Sequence, residues 1–224
     1  MSFFKSDVIT AEERERINKN LQLIREVAAT PVDVDAIYET INKECPIVKM
    51  SKGDNPSYFG MFIPDKKMEI NIYSKRGREV KRAKTFDYRY FFDKEGRIRF
   101  TERYLGSKGN YYVADLISYI YTDNKIITLF NRLEDKINSI IGYAEYNKDG
   151  LIKRYVFSSH PGNEPRIKDD YISYFEYIYQ YDGEKIILNY KRYSEPTWFD
   201  EESFHDEWYE YTLDGLKYIR KIEK

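Results

Sequence analysis

From about Tyr58 onward the chain alternates apolar and charged residues with a period of two, and tyrosine fills many of the apolar positions. Met68, Ile70 and Ile72 are interleaved with Lys67, Glu69 and Asn71. Phe86, Tyr88, Tyr90 and Phe92 alternate with Asp87, Arg89 and Phe91. Ile98, Phe100 and Tyr104 alternate with Arg97, Arg99, Thr101 and Arg103. Such a pattern turns one row of side chains to a core and the other to water, which is the pattern of antiparallel strands. Of 23 tyrosines, 21 follow residue 70, and a large amphipathic ring suits a pleated, half-buried surface.

Turn signals separate the runs: Arg76-Gly77, Glu95-Gly96, Asp123-Asn124, Asp149-Gly150, Asp182-Gly183 and Asp214-Gly215. Asp-Gly between alternating runs predicts a hairpin with a type I′ turn, because both central residues then need positive φ. Tyr119-Ile120-Tyr121, Tyr177-Ile178-Tyr179 and Tyr209-Glu210-Tyr211 recur just ahead of three of these turns. Intervals of 19 to 33 residues are too uneven for a solenoid. Propensity alone and an eroded hairpin duplication both account for the recurrence, and both give the same fold.

The N-terminal part is punctuated differently. No glycine occurs between Thr10 and Cys45, and Pro31 divides two helical patterns. Thr10 and Glu13 form a capping box ahead of a stripe of Ile17, Leu21, Ile24 and Ala28. Asp33 or Asp35 caps a second helix with Ile37, Ile41 and Cys45 on its apolar side, and Pro46 ends it. The expected architecture is α+β and mainly β. A helix pair in residues 1–50 packs on an antiparallel meander of about a dozen strands in residues 51–224, as a curved sheet or open barrel, within one structural domain.

Composition narrows the function. Lysine and arginine number 37 against 38 acidic residues, so nucleic-acid binding is not expected. One cysteine and two histidines offer no Cys-rich zinc site and few metal ligands. No signal-peptide core or membrane-length apolar run is present, which leads to the expectation of a cytoplasmic protein without a membrane partner.

The hairpins at residues 86–104, 143–157, 177–193 and 208–222 resemble the tyrosine- and glycine-rich hairpins of Rhs-type YD-repeat proteins and related polymorphic-toxin immunity proteins. Their spacing is not constant, and most units depart from the full repeat pattern. The resemblance implies a bacterial protein from the setting of toxins and their immunity partners, and it transfers no catalytic residue.

Several constellations invite chemistry. Ser159-His160 lies beside Pro161-Gly162, a turn, with no oxyanion-hole motif. Residues 106–110 contain two glycines and a lysine but lack Walker spacing, and Tyr111-Tyr112-Val113 looks extended, so a plain turn is expected. Arg97, Arg99 and Arg103 form a row expected on the sheet face opposite Ile98 and Phe100. Tyr171, Phe175, Tyr177, Tyr179 and Tyr181 share a face that either packs the core or lines a glycan or lipid cavity. His205 among Asp200, Glu201, Glu202, Asp206 and Glu207 is the nearest approach to a metal-dependent hydrolase.

The residues expected to meet a partner lie in an acidic–aromatic loop at 196–208: Trp198, Phe199, Asp200, Glu201, Glu202, Phe204, Asp206 and Trp208. Both tryptophans flank the acid, and aromatic anchors amid one sign of charge suit recognition of a protein with a basic surface. The leading expectation is therefore a non-enzymatic immunity protein or inhibitor with no cofactor, no metal and no catalytic residues. A ligand-binding barrel and the His205-centred hydrolase are the alternatives.

Overall fold

The structure is a computed structural model and describes residues 10–28, 30–53, 78–82, 87–107, 110–123, 125–133, 137–159, 173–194, 203–212 and 218–222. Two helices, α1 (Ala11–Ala28) and α2 (Val34–Glu44), precede twelve strands. These are β1 (Ile47–Lys52), β2 (Arg78–Glu79), β3 (Asp87–Phe92), β4 (Ile98–Ser107), β5 (Asn110–Tyr121), β6 (Lys125–Arg132), β7 (Ile137–Tyr146), β8 (Ile152–Ser159), β9 (Ser173–Asp182), β10 (Lys185–Ser194), β11 (Ser203–Thr212) and β12 (Tyr218–Ile222). They form one antiparallel sheet in which β3 to β12 follow one another as a meander. β1 lies beside β3, and β2 beyond it forms one edge, while β12 forms the other. The sheet does not close. The expected mainly-β architecture is what the chain adopts, as an open sheet rather than a barrel.

α2 begins and ends as its sequence dictates. Asp33 caps it by accepting from the Ala36 N–H at 3.0 Å. The Cys45 N–H bonds the Ile41 carbonyl at 3.0 Å, and Pro46 follows. Ile41 and Cys45 are buried with Phe91, Phe100 and Leu116, and Ile37 and Tyr38 pack at the margin. On α1, Ile17 is fully buried against Ile141, Val156, Tyr174 and Tyr193. The side chains of Glu13, Leu21, Ile24 and Ala28, expected in the cap and stripe, lie outside the described residues.

Residues paired across adjacent strands share a face, so the register divides the sheet into a helix-bearing side and an aromatic side. Phe91↔Phe100↔Ser118↔Leu129↔Ile141↔Ser158↔Tyr174↔Tyr193↔Phe204 runs along the first. On the second, Tyr90, Ile117, Tyr119, Ile126 and Phe130 form one cluster. Tyr155, Tyr179, Ile186 and Leu188 form another. Tyr146 packs against both and makes that face continuous. Gly142 lies where a Cβ would come within 3.1 Å of the Tyr155 hydroxyl and 3.2 Å of the Phe157 Cβ, so these rings fill space that only glycine leaves.

Two sequence expectations need correction here. Ile98 and Phe100 do not share a face. The register shifts between Phe91 and Phe92, leaving Arg99 as the extra residue. Ile98 therefore joins Tyr90 and Phe92, and Phe100 joins α2's residues on the other side. The Gly turns are hairpins as expected, but Asp-Gly is not the central pair of a two-residue loop. Asp93 and Asn147 each hold a loop whose last residue, Gly96 (φ 76°) or Gly150 (φ 74°), takes the left-handed conformation. Asp182 is the last paired residue of β9, and Gly183 (φ 58°) opens the turn after it. The runs at Met68–Ile72 and the turns at Arg76-Gly77 and Asp214-Gly215 lie outside the described residues.

Asp93 illustrates how such a turn is held. Its carboxylate accepts the Arg97 N–H and the Arg97 Nε, each at 2.8 Å. Burial alone raises its pKa, but the backbone and guanidinium bonds from Arg97 outweigh it, so the group titrates below its ordinary 3.8. A carboxyl with a lowered folded pKa contributes stability above its unfolded value and loses it as pH falls through the folded one. Asp93→Asn is therefore expected to lower stability at neutral pH, with the gap to the parent narrowing as pH falls below 3.8. Urea titrations on both sides of that value check it, and a gap that stays constant contradicts the assignment.

Candidate functional site

The acidic–aromatic run is not a loop throughout. Residues 203–212 form β11, paired with β10 from Ser194↔Ser203 to Lys185↔Thr212. Consecutive polar residues at His205, Asp206 and Glu207 hide an ordinary strand alternation, in which Phe204, Asp206 and Trp208 take one face and His205 and Glu207 the other. Trp198, Phe199, Asp200, Glu201 and Glu202 lie outside the described residues. Three of the expected partner-binding residues are thus brought into line on the helix-bearing side of one strand.

Each is held differently. Phe204 is half-buried against the cluster of Ile17, Tyr174 and Tyr193. Asp206 accepts from Asn189 Nδ2 at 2.5 Å and lies 3.7 Å from Lys191 Nζ. Lys191 itself is buried, and its register partners are Asp206 on one side and Glu176 on the other. Trp208 is half-buried opposite Asn189 and Ile222. β12 pairs with β11 only over residues 208–211. Among the described residues, the first half of β11 is therefore the margin of the sheet.

On the aromatic side of the same strand, Glu207 accepts Lys221 Nζ at 2.5 Å and the Tyr209 hydroxyl. Those two bonds, Lys221's first, hold the Glu207 carboxyl below its usual range. The bond to Glu207 pushes the Tyr209 hydroxyl up. His205 is exposed and lies on the opposite side of the strand from Asp206. Among the described residues no three His, Cys, Asp or Glu side chains are grouped to hold a metal ion.

Other sequence candidates scatter. Arg97 bonds Asp93 and lies 3.4 Å from Glu95, Arg99 lies 3.6 Å from Glu44 and Arg103 pairs with Asp115, so the arginine row is divided among four carboxylates. Ser107 pairs with Asn110 in a hairpin, and β5 follows it, so no helix N-terminus stands behind that loop. Ser159 ends β8, while His160 and Tyr171 lie outside the described residues. Phe175, Tyr177, Tyr179 and Tyr181 do share the aromatic face. Phe157 stacks on Phe175 at 4.5 Å, Tyr177 meets Tyr190 at 5.1 Å and the Tyr181 hydroxyl donates to the Ile152 carbonyl at 2.7 Å.

Two carboxylates that sequence reasoning missed organise the helix-bearing side. Glu102, fully buried, accepts from Arg89 Nε at 2.5 Å, from the Tyr38 hydroxyl at 2.8 Å and from the Tyr104 hydroxyl at 3.2 Å. Burial and then the bond to Glu102 drive the Tyr38 pKa up, and burial with the Glu102 charge pushes Tyr104 up to about 12. Glu176, also fully buried, accepts from Arg154 Nε at 2.6 Å and from Arg16 of α1. Asn20 of α1 donates to the neighbouring Tyr174 hydroxyl at 3.2 Å. Each helix is thus tied to one carboxylate, and neither is visible as a motif in the sequence.

Comparison with protein-family models, with curated proteins and with solved structures finds no match to this chain.

Proposed function

We propose that this chain is a non-enzymatic, cytoplasmic protein-binding module that acts as an immunity protein, blocking a cognate toxin or enzyme sterically. The observation that supports this reading best is the alignment of Phe204, Asp206 and Trp208 on one face of β11, directly after the acidic run Asp200-Glu201-Glu202. Aromatic anchors beside concentrated negative charge suit a partner with a basic surface, such as a cleft that binds phosphates.

The test separates charge from folding. Asp206 is unsuited to reversal, because a lysine there would meet buried Lys191 and lose the Asn189 bond. Reversing Asp200, Glu201 and Glu202 together to lysine is expected to leave the unfolding midpoint unchanged. Association with the partner should slow by about tenfold or more, and its salt dependence should weaken. Surface plasmon resonance at two salt concentrations reads both quantities. An unchanged association rate in the folded triple variant removes the acidic run from the mechanism.

A further inference from the structure

An open groove of about 420 Å³ lies between α2, the α1–α2 connection and the helix-bearing face of β4 to β6. It is on the side of the sheet opposite the tyrosine row and well along the sheet from β11. Its size falls in the range of small-molecule sites. Ile37 of α2 forms one wall, and Phe100, Ser118, Ile120 and Leu129 form the floor. Ile120 is 44% exposed, a large aliphatic side chain left toward water.

Among the described residues that line it, Arg99 is the one cation and Asp33, whose carboxylate already caps α2, the one acid. Arg99 is the bulged residue of β4 and lines the groove. Its Nε is buried and, among the described residues, has no hydrogen-bond partner, and its Nη1 lies 3.6 Å from Glu44 at the end of α2. A buried guanidinium donor without an acceptor is costly, and a carboxylate is the acceptor whose shape and charge match its fork. The groove therefore combines a place for an aliphatic chain with a place for one carboxylate.

The geometry points to a binding site for an amphiphilic carboxylate, a fatty-acid-like ligand whose chain lies over Phe100, Ile120 and Leu129 and whose carboxylate takes the Arg99 Nε–H. This site is separate from β11 and does not depend on how β11 meets a partner. Glu44 and the ligand would share one guanidinium, so Glu44 acts as an internal competitor that tunes affinity.

Isothermal titration of the full chain with laurate, and with lauryl alcohol as the uncharged analogue, tests the site. Laurate is expected to bind about tenfold or more tightly than the alcohol, since a charge-assisted bond is lost with the latter. Arg99→Gln should bring laurate down to the alcohol's affinity, and Glu44→Gln should tighten laurate several-fold. Ile120→Asp changes an exposed position, is expected to fold normally, and should abolish laurate binding. Absence of laurate binding overturns the proposal. Equal affinity for acid and alcohol also overturns it, leaving only a non-specific apolar surface, as does binding indifferent to Arg99→Gln and Ile120→Asp.

Discussion

Replacing Glu176 with glutamine is expected to destabilise the protein by about 3 kcal/mol, the low end for breaking a buried ion pair, because the amide carbonyl still accepts one bond. Two guanidiniums, Arg16 from α1 and Arg154 from β8, converge on this one carboxylate. Once it is neutral, they repel each other with no compensating charge. The loss is large against the roughly 5–15 kcal/mol by which domains are stable. It is also local. Arg16 and Asn20 reach the sheet from α1 beside the buried Ile17, so the loss falls on the docking of that helix. Amide exchange in residues 11–28 should accelerate more than in residues 34–44. Glu102→Gln should give the converse pattern, because Tyr38 ties α2 to that carboxylate. Urea titration reads the first quantity and exchange mass spectrometry the second. Equal responses of both helices to either substitution would contradict the separate tethers.

Leu116→Ala and Ile117→Ala are expected to cost similar amounts, each about 2–5 kcal/mol, despite being neighbours that point in opposite directions. Leu116 is fully buried beneath α2 with Phe91 and Phe100. Ile117 is fully buried on the other side with Tyr90, Tyr119 and Phe130. An antiparallel sheet with one solvated face would show one large loss and one near zero, within about 0.5 kcal/mol. Paired thermal or urea unfolding of the two variants distinguishes the cases. A negligible effect at Ile117 would mean that the aromatic face does not form a core.

That comparison also marks where the sequence stops being legible. Alternation and turn chemistry reveal strands and hairpins, and the cap at Asp33 and the stop at Pro46 reveal α2. What alternation cannot reveal is a face that is polar in sequence yet buried. Glu176 lies between Phe175 and Tyr177, and Glu102 follows Thr101; each reads as a solvated residue until a helix covers it. A single extra residue at Arg99 likewise reverses the parity of Ile98 and Phe100, and nothing in the sequence announces the bulge. β1 escapes for a related reason. Its only buried residue is Ser51, whose hydroxyl reaches the Gly53 carbonyl and Tyr90, while Ile47 and Val48 are exposed. At β11 the acidic–aromatic composition is readable, but the strand beneath it is not, because three consecutive polar residues at 205–207 interrupt the apolar pattern.

The most direct test of the proposed role places a photo-activated cross-linker at position 205, which is exposed on the marginal half of β11 and, although it faces away from Asp206, adjoins it closely enough for a flexible cross-linker to reach a partner seated on Phe204 and Asp206. A second chain carries it at Asp123, exposed in the β5–β6 turn far across the sheet. Activation in lysate of the source cell, followed by mass spectrometry, identifies what each position touches. A protein-binding module working through β11 predicts one partner, captured at about one copy per chain at position 205, absent at position 123, and lost when Asp200, Glu201 and Glu202 are reversed. The same set of proteins at both positions, or no capture at position 205, would contradict it.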